Sequence, residues 1–382
     1  MKILIVGCGN IGSVAADDLA RSMNSADVVV ADNDEKRART VAERIGRSNV
    51  SWVKMNAASH DESVRVLKGF DLILGFLPGK LGYGLAEACI DAGKSLVDVS
   101  FMAENPLTLN DKAEKAGITI VPDCGLAPGI SNVLVGHAAA ELDKVQSAHI
   151  MVGGLPEKPI PPLGYVITWS PESLIDEYTR KARIVRDGKE ANADVLSGLE
   201  EVDFPDFGKL EAFLTDGLRT LIHTIPQAED MWEKTLRYPG HAEKIKALKD
   251  LGFFEEVKIN AGGVSVSPRR LTVKLLAEKL WKPEVKDIVA LKVEVSGTKN
   301  GKHQHYVYHM LDRYDKERDV TSMARTTACP ASIVAQLMLK GLVREKGVVP
   351  PEKIGMNPEL FKLFMDGLKQ HGIKVSEERM SG

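Results

Sequence analysis

Long hydrophobic runs are missing from this 382-residue chain: nowhere do eighteen consecutive apolar residues occur, which argues against a membrane-spanning helix. Cysteine is scarce as well. Cys8, Cys89, Cys124 and Cys329 are scattered without any C-x-x-C spacing, so neither a zinc site nor a disulfide framework is expected, and no metal is assigned. Neither sign of charge dominates: 50 Lys and Arg against 53 Asp and Glu give a net charge of −3, which provides no broad basic surface for nucleic acid. Internal repeats and low-complexity segments are absent. The first apolar run begins at Met1 and leaves no room for a signal peptide, so the expected compartment is the cytoplasm. The remaining composition, 44% apolar and 27% charged, is that of an ordinary soluble protein with length enough for two domains, each with its own core.

The opening stretch carries the clearest chemistry. Met1-Lys-Ile-Leu-Ile-Val6 is a strand-forming run, and Gly7-Cys8-Gly9-Asn10-Ile11-Gly12 turns it directly into an amphipathic helix ending near Arg21. Gly7 permits the tight turn, Gly9 lets the backbone approach a pyrophosphate, and Gly12 lets the helix lie close on the strand, while the helix start offers Asn10 and Ile11 N–H groups to phosphate. A second apolar run delivers Asp32, twenty residues past Gly12, where a carboxylate can accept both hydroxyls of an adenosine ribose. A 2′-phosphate would meet like charge there, so the expected cofactor is NAD, although Lys36 and Arg37 soften the discrimination against NADP.

Strand and helix then alternate as a doubly wound α/β domain requires. Asn56 ends a third strand, where it is either a contact to the adenine edge or a turn asparagine. The fourth strand, from Asp71 to Gly75, runs into Phe76-Leu77-Pro78, which passes over the carboxyl edge where a cofactor lies, and a fifth leads to Ser100 at the same edge. A sixth strand, Ile118 to Val121, exits through Pro122-Asp123-Cys124-Gly125-Leu126-Ala127-Pro128-Gly129. Asp123 is therefore left beside the expected nicotinamide, as a carboxylate able to orient or deprotonate an amine or simply as a turn aspartate.

From about Ser147 strand-like runs follow one another with fewer helices, which predicts an α+β domain with a mostly antiparallel sheet. Tyr165–Trp169 is among the expected strands, Lys299-Asn-Gly-Lys302 is the expected hairpin turn, and helices are expected over Pro171–Tyr178, Ala242–Leu251 and Arg269–Leu280. Helices after about residue 322, including Ser332–Gly341 and Pro358–His371, are expected to return to the first domain. The resulting division is 1–140 plus 322–382 for a Rossmann domain and 141–321 for a substrate-binding and dimerisation domain. Polar clusters at Asp216–Arg219 and at Arg237-Tyr238-Pro239-Gly240-His241 are the candidate substrate site. A guanidinium at Arg237 suits a carboxylate, or pairs with an acid across the sheet; His241 suits an acid or base, or caps the helix that follows.

Together, Val121-Pro-Asp-Cys-Gly-Leu-Ala-Pro-Gly-Ile-Ser-Asn132, Val152-Gly-Gly-Leu-Pro156, Pro162-Leu-Gly-Tyr-Val-Ile-Thr-Trp-Ser-Pro171, Thr235-Leu-Arg-Tyr-Pro-Gly-His-Ala-Glu-Lys244 and Ser322-Met-Ala-Arg-Thr-Thr327 resemble the saccharopine dehydrogenase family, most closely its L-lysine 6-dehydrogenase branch. The resemblance extends from Met1 to the loop at Glu352. It implies a homodimeric NAD-dependent enzyme that oxidises the ε-carbon of L-lysine, releasing ammonia and allysine, which cyclises to 1-piperideine-6-carboxylate. Saccharopine reductases share the Gly-Leu-x-Pro-Gly and Arg-Tyr-Pro-Gly segments but are usually longer and carry Glu where this chain has Asp123. On this reading the substrate carboxylate binds Arg237 or Arg219, with Tyr238, Asp216 and Ser100 nearby. Asp123 or His241 takes the amine proton. The competing expectations are a saccharopine dehydrogenase acting on a secondary amine and a non-catalytic NAD-binding sensor.

Overall fold

Six short apolar runs separated by amphipathic helices build the first unit of the computed structural model, which describes residues 1–282 and 284–381. The chain divides into two compact units, one of residues 1–143 and 324–374, the other of residues 144–323 and 375–382. In the first, β1 (Lys2–Val6) leads through α1 (Asn10–Ser22) to β2 (Asp27–Asp32), then α2 (Glu35–Ile45), β3 (Val50–Lys54), α3 (His60–Leu67), β4 (Leu72–Gly75), α4 (Gly79–Ala92), β5 (Ser95–Asp98), α5 (Asn110–Lys115), β6 (Thr119–Val121) and α6 (Ile130–Glu141). Ile3, Leu4, Ile5 and Val6 are all fully buried, which is why β1 reads as a continuous apolar run rather than an alternating one. Asp34 caps α2 by accepting the Lys36 and Arg37 N–H groups, and Gly46 ends that helix in the left-handed region.

The second unit opens with β7 (Lys144–Pro156) and continues through α7 (Pro171–Thr179), β8 (Ala182–Arg186), β9 (Lys189–Ala193), β10 (Glu200–Phe204), β11 (Gly208–Thr215), α8 (Leu221–Thr224), β12 (Asp230–Arg237) and α9 (His241–Asp250). A small hairpin follows, β13 (Ile259–Ala261) and β14 (Val264–Val266), then α10 (Pro268–Leu280), β15 (Asp287–Lys299) and β16 (Lys302–Arg313). Its nine-stranded sheet runs β10-β11-β12-β7-β15-β16 and ends on the last strand of the chain, with β8 and β9 branching from β12. All pairings are antiparallel except β7 with β12. Asn300 and Gly301, both at positive φ, form the two-residue turn between β15 and β16. Tyr165–Trp169, expected as a strand, is instead irregular chain. Tyr165, Ile167 and the Trp169 ring are consumed in an apolar cluster with Leu174, Tyr178, Ile245 and Leu280 of α7, α9 and α10, so burial replaces a ladder.

The chain re-enters the first unit along α11 (Ser322–Leu339), followed by β17 (Gly347–Val348), α12 (Pro351–Met356) and α13 (Pro358–Gln370). The helix expected from Ser332 begins ten residues earlier. Pro330 removes only one intrahelical hydrogen bond, and the Ser322 and Met323 N–H groups are accepted by the Asp287 carboxylate at 2.6 and 2.9 Å. The first sheet is then complete and all parallel, in the order β17-β6-β5-β4-β1-β2-β3. The assignment of 322–382 to the first domain needs one correction. β18 (Ser376–Ser381) adds to the free edge of β16 in the second unit, where six residues pair in antiparallel register. No helix among the described residues is long and apolar enough to cross a membrane.

Candidate active site

The order of β3-β2-β1-β4-β5-β6 reverses direction between β1 and β4, and in such sheets ligands lie outside the carboxyl ends of the strands at that point. The three glycines of the first turn are not equivalent there. Gly7 takes φ of +98°, and a Cβ on it would stand 2.5 Å from the Phe76 carbonyl oxygen; a Cβ on Gly12 would stand 1.9 Å from the Gly7 carbonyl oxygen. Gly9, the N-cap of α1, has no protein atom within 4 Å of an added Cβ. Two glycines are thus fixed by the protein's own packing and the middle one faces open space at a helix N-terminus, the arrangement that suits a pyrophosphate. Asn10 and Ile11 form the first turn of the same helix.

Asp32 closes β2 beside this turn. Its Oδ2 accepts the Cys8 N–H at 3.0 Å and its Oδ1 the Asp34 N–H at 2.9 Å, which fixes the carboxylate while each oxygen keeps room for a further donor. The Arg37 guanidinium lies 3.8 Å from Oδ2. Burial and the Asp32 charge push the Cys8 thiol up to about 12, so it is not a nucleophile at neutral pH. Leu77 and Pro78 follow β4, with Pro78 capping α4 and Leu77 within 3.4 Å of the space above Gly7. The Asn56 side chain accepts the Ala58 N–H at 3.1 Å, as a turn asparagine does.

At the ends of β5 and β6 the carboxyl edge becomes acidic. Asp98 is fully buried and accepts both the Ser100 N–H, at 2.9 Å, and the Ser100 hydroxyl, at 2.8 Å. The Cys124 N–H donates to the Asp98 carbonyl at 2.8 Å, which brings the loop after β6 against the end of β5. Asp123 sits in that loop, 1% exposed, with φ of 53°. A non-glycine residue in the left-handed region costs about 1–2 kcal/mol, and such strain gathers at functional sites. The loop cannot relax easily: the Gly125 N–H donates to the Pro128 carbonyl, and a Cβ on Gly129 would stand 1.9 Å from the Gly125 carbonyl oxygen.

The second unit holds the other sequence-predicted residues, and it separates them. Arg237 is the last residue of β12 and Tyr238 follows it, and the two side chains enter different clusters. Tyr238 donates to the Pro156 carbonyl at 2.9 Å within the cluster of Phe204, Leu210 and Leu236. Arg237 lies on the face beneath α7 and α9. It donates to Glu177 at 2.9 Å and to the Leu236 carbonyl at 2.9 Å, and stands over the Tyr165 ring at 4.6 Å; its buried Nε has no protein acceptor. Glu177 also accepts from Thr235, whose hydroxyl is 3.0 Å from that of Thr215. Asp216 takes the Arg183 guanidinium bidentately, at 2.9 and 2.8 Å, with Arg180 at 3.9 Å. Arg219 is buried nearby at φ of 54°.

His241 does not fit the acid–base role expected of it. Its Nδ1–H donates to the Leu163 carbonyl at 2.9 Å, its Nε2 accepts from the Tyr178 hydroxyl at 2.8 Å, and only 1% of the residue is exposed. Burial, aided by the Arg237 charge, drives it down to about 3, so it stays a neutral, fully bonded ring at the start of α9. Two acids escaped the sequence reading. Glu177 is the partner of Arg237. Glu233, on the same face of β12, is buried beneath Gly217, and desolvation with the nearby Asp216 and Glu177 charges pushes it up to about 8. The sequence signal was the alternation of the polar residues Glu233, Thr235 and Arg237 along β12.

Phosphates at an open helix N-terminus, a ribose at Asp32 and reacting groups at the strand ends are what a nicotinamide-dependent oxidoreductase asks of its cofactor unit. The first unit presents an open helix N-terminus at Gly9, a carboxylate at the end of β2 and polar side chains at the ends of β5 and β6. Residues 3–121 match the saccharopine dehydrogenase NADP binding domain and residues 125–373 the saccharopine dehydrogenase C-terminal domain. The chain belongs to the saccharopine dehydrogenase family. It is 24% identical to carboxyaminopropylagmatine dehydrogenase of Synechocystis over 97% of both chains, and 25% identical to α-aminoadipic semialdehyde synthase of Arabidopsis thaliana, of whose length it spans 44%. The fold is that of the L-Glu-forming saccharopine dehydrogenase of Saccharomyces cerevisiae, with a TM-score of 0.79 at 20% identity over 99% of both chains.

Proposed function

We propose that the chain oxidises the ε-carbon of L-lysine, releasing ammonia and allysine, which closes to 1-piperideine-6-carboxylate. The observation that carries this reading is Asp123, a buried carboxylate fixed at the carboxyl edge of the parallel sheet by a left-handed backbone. An ammonium has no lone pair with which to stabilise a developing C=N bond, so the amine must first lose a proton, and Asp123 is the group assigned to take it. Bound NAD supplies the hydride acceptor. Water then adds to the imine carbon and the C–N bond breaks to give the aldehyde and ammonia. Gly9 and the N-terminus of α1 would hold the pyrophosphate and Asp32 the adenosine ribose, with Ser100 fixed by Asp98 at the neighbouring strand end.

A second reading has its own support. The matching cofactor domain is described as NADP-binding, Arg37 stands where a 2′-phosphate needs a cation, and the similar proteins are named for carboxylated amines and for saccharopine. On that reading a secondary amine is oxidised and an amino acid, not ammonia, leaves. One experiment separates the two: reduced-nicotinamide absorbance with NAD and with NADP, each against L-lysine and against saccharopine, with ammonia measured in parallel. Lysine-dependent reduction of NAD with stoichiometric ammonia is the expected result. Reduction only with saccharopine and without ammonia refutes the lysine assignment, and reduction with no amine at all refutes both.

A further inference from the structure

Among the described residues, Glu352 is the only glutamate with no exposed surface. It lies on α12, far along the chain from every group of the proposed chemistry, and a buried carboxylate is costly unless its oxygens are satisfied. α12 crosses α6 at backbone contact. A Cβ on Gly136 would stand 2.1 Å from the Glu352 carbonyl oxygen, and a Cβ on Gly355 would stand 2.0 Å from the Val133 carbonyl oxygen. One glycine from each helix thus sets a spacing at which Glu352 cannot withdraw from α6.

What Glu352 meets there is Asn132, itself fully buried in the first turn of α6. The Asn132 Nδ2 donates to Glu352 Oε2 at 3.2 Å. The Asn132 Oδ1 accepts the Gly129 N–H at 3.2 Å and the Ser131 hydroxyl at 3.1 Å, the first bond reaching back from the helix to its N-cap. A side-chain amide can present either end, and the reverse orientation would set its NH₂ group against the Gly129 N–H, donor to donor. An ionised carboxylate only accepts, so Glu352 fixes which end faces Gly129. Gly129 in turn closes the loop that bears Asp123. The Gly125 N–H donates to the Pro128 carbonyl at 3.1 Å and the Ile130 N–H to the Gly125 carbonyl at 2.9 Å, with Asp123 just upstream in its left-handed conformation.

We infer that Glu352 is a positioning residue: acting through Asn132 and Gly129, it holds the Asp123 loop in the geometry that proton removal needs. The inference rests on Asp123 as the base. Glu352, Asn132, Gly129 and Gly125 are all buried and all belong to the first unit, so the path is shielded from water along its length. A reacting group displaced by about 1 Å can lose on the order of a hundredfold in rate, and Asp123 is the only group of the proposed chemistry that this path reaches. The effect therefore falls on turnover and not on cofactor binding.

The test is steady-state kinetics on the full chain with NAD and L-lysine, or with saccharopine if the wild type reduces the cofactor only on that amine. Asn132→Asp keeps an oxygen for Gly129 but turns a second one on Glu352. It should lower kcat by roughly tenfold to a hundredfold while KM and NAD affinity stay within about threefold. Glu352→Leu removes the acceptor without adding charge and should show the same loss, which keeps the inference refutable if Asn132→Asp does not fold. Glu352→Gln can still accept from Asn132 and should keep kcat within about fivefold of the wild type. In Asn132→Asp/Glu352→Gln donor and acceptor exchange sides, and kcat should recover. On an Asp123→Asn background, Asn132→Asp and Glu352→Leu should cost nothing further, because the group they position is already gone. Undiminished turnover in both single variants, no recovery in the exchanged pair, or an equal loss on the Asp123→Asn background overturns the positioning role and leaves Asp123 as the base. Unaltered turnover of Asp123→Asn removes the base itself, and this inference with it.

Discussion

Replacing Gly9 and Gly12 one at a time by alanine tests the cofactor site most directly, because the two changes are chemically identical and should fail in opposite ways. At Gly12 the new methyl meets the Gly7 carbonyl oxygen at 1.9 Å and the Phe76 Cβ at 3.2 Å, and the first contact is backbone that cannot swing aside. Overpacking of that kind costs about 1–3 kcal/mol, and for a unit of this size each kcal/mol lowers the melting temperature by roughly 2–4 °C, so a fall of about 2–12 °C is expected. At Gly9 the backbone has φ of −70°, open to any residue, and the methyl meets nothing within 4 Å. The loss of a tolerated N-cap and the reduced freedom of the unfolded chain are each within about 1 kcal/mol and oppose each other, so stability should hardly change. The methyl does occupy the space in which a pyrophosphate would lie against the backbone. Dinucleotide affinity should therefore weaken on the order of a hundredfold, equivalent to about 2.7 kcal/mol. Calorimetric titration with NAD and NADP, paired with scanning calorimetry on each variant, measures both quantities. If Gly9→Ala binds dinucleotide as tightly as the wild type, the phosphate site has been misassigned.

Asp123→Asn should leave dinucleotide binding intact and lower turnover by about 10²–10⁴-fold, as expected when a positioned base is lost; unaltered kcat removes it from the mechanism. Asp32→Ser takes away the charge that opposes a 2′-phosphate and leaves Arg37 in place, so the ratio of NADP to NAD affinity should rise at least tenfold, and an unchanged ratio argues that Asp32 does not face the ribose. Glu233 carries a pH signature. Its native value of about 8 exceeds the ordinary 4.5, so the folded chain keeps a proton that the unfolded chain releases, and its contribution to stability falls steadily from pH 4.5 to 8. His241, held at about 3, contributes the opposite slope below pH 6.5 in wild type and variant alike, so the informative quantity is their difference. Glu233→Gln should gain melting temperature relative to the wild type as pH rises through that window; a constant difference refutes the assignment of a bound proton.

The geometry of the glycine turn after β1 was legible in the sequence because its causes are local. Each glycine is excluded or permitted by atoms a few residues away or on the adjoining strand, and Asp32 follows from the length of one βα unit. The hairpin turn at Asn300-Gly301 was readable for the same reason. The polar cluster of the second unit was not. Arg237 looks available until Glu177 arrives from a helix sixty residues earlier, and His241 looks titratable until Leu163 and Tyr178 take both of its nitrogens. The end of β12 sends Arg237 to Glu177 and Tyr165 and Tyr238 to the Pro156 carbonyl, although adjacency in sequence had suggested that they act together. The helix start at Ser322 was hidden by Pro330, because its compensation comes from Asp287 on another strand.

The covalent path moves from one unit to the other three times, near residues 143, 323 and 374, and the last passage delivers β18. Neither half is therefore an uninterrupted stretch of polypeptide. A single cut yields no stand-alone cofactor module; such a module needs residue 143 spliced to residue 324 and the tail removed after 374. Replacing the second unit likewise means exchanging an internal segment while providing a new edge for β18, which loses its partner β16. Swaps designed as simple end-to-end fusions should yield insoluble protein.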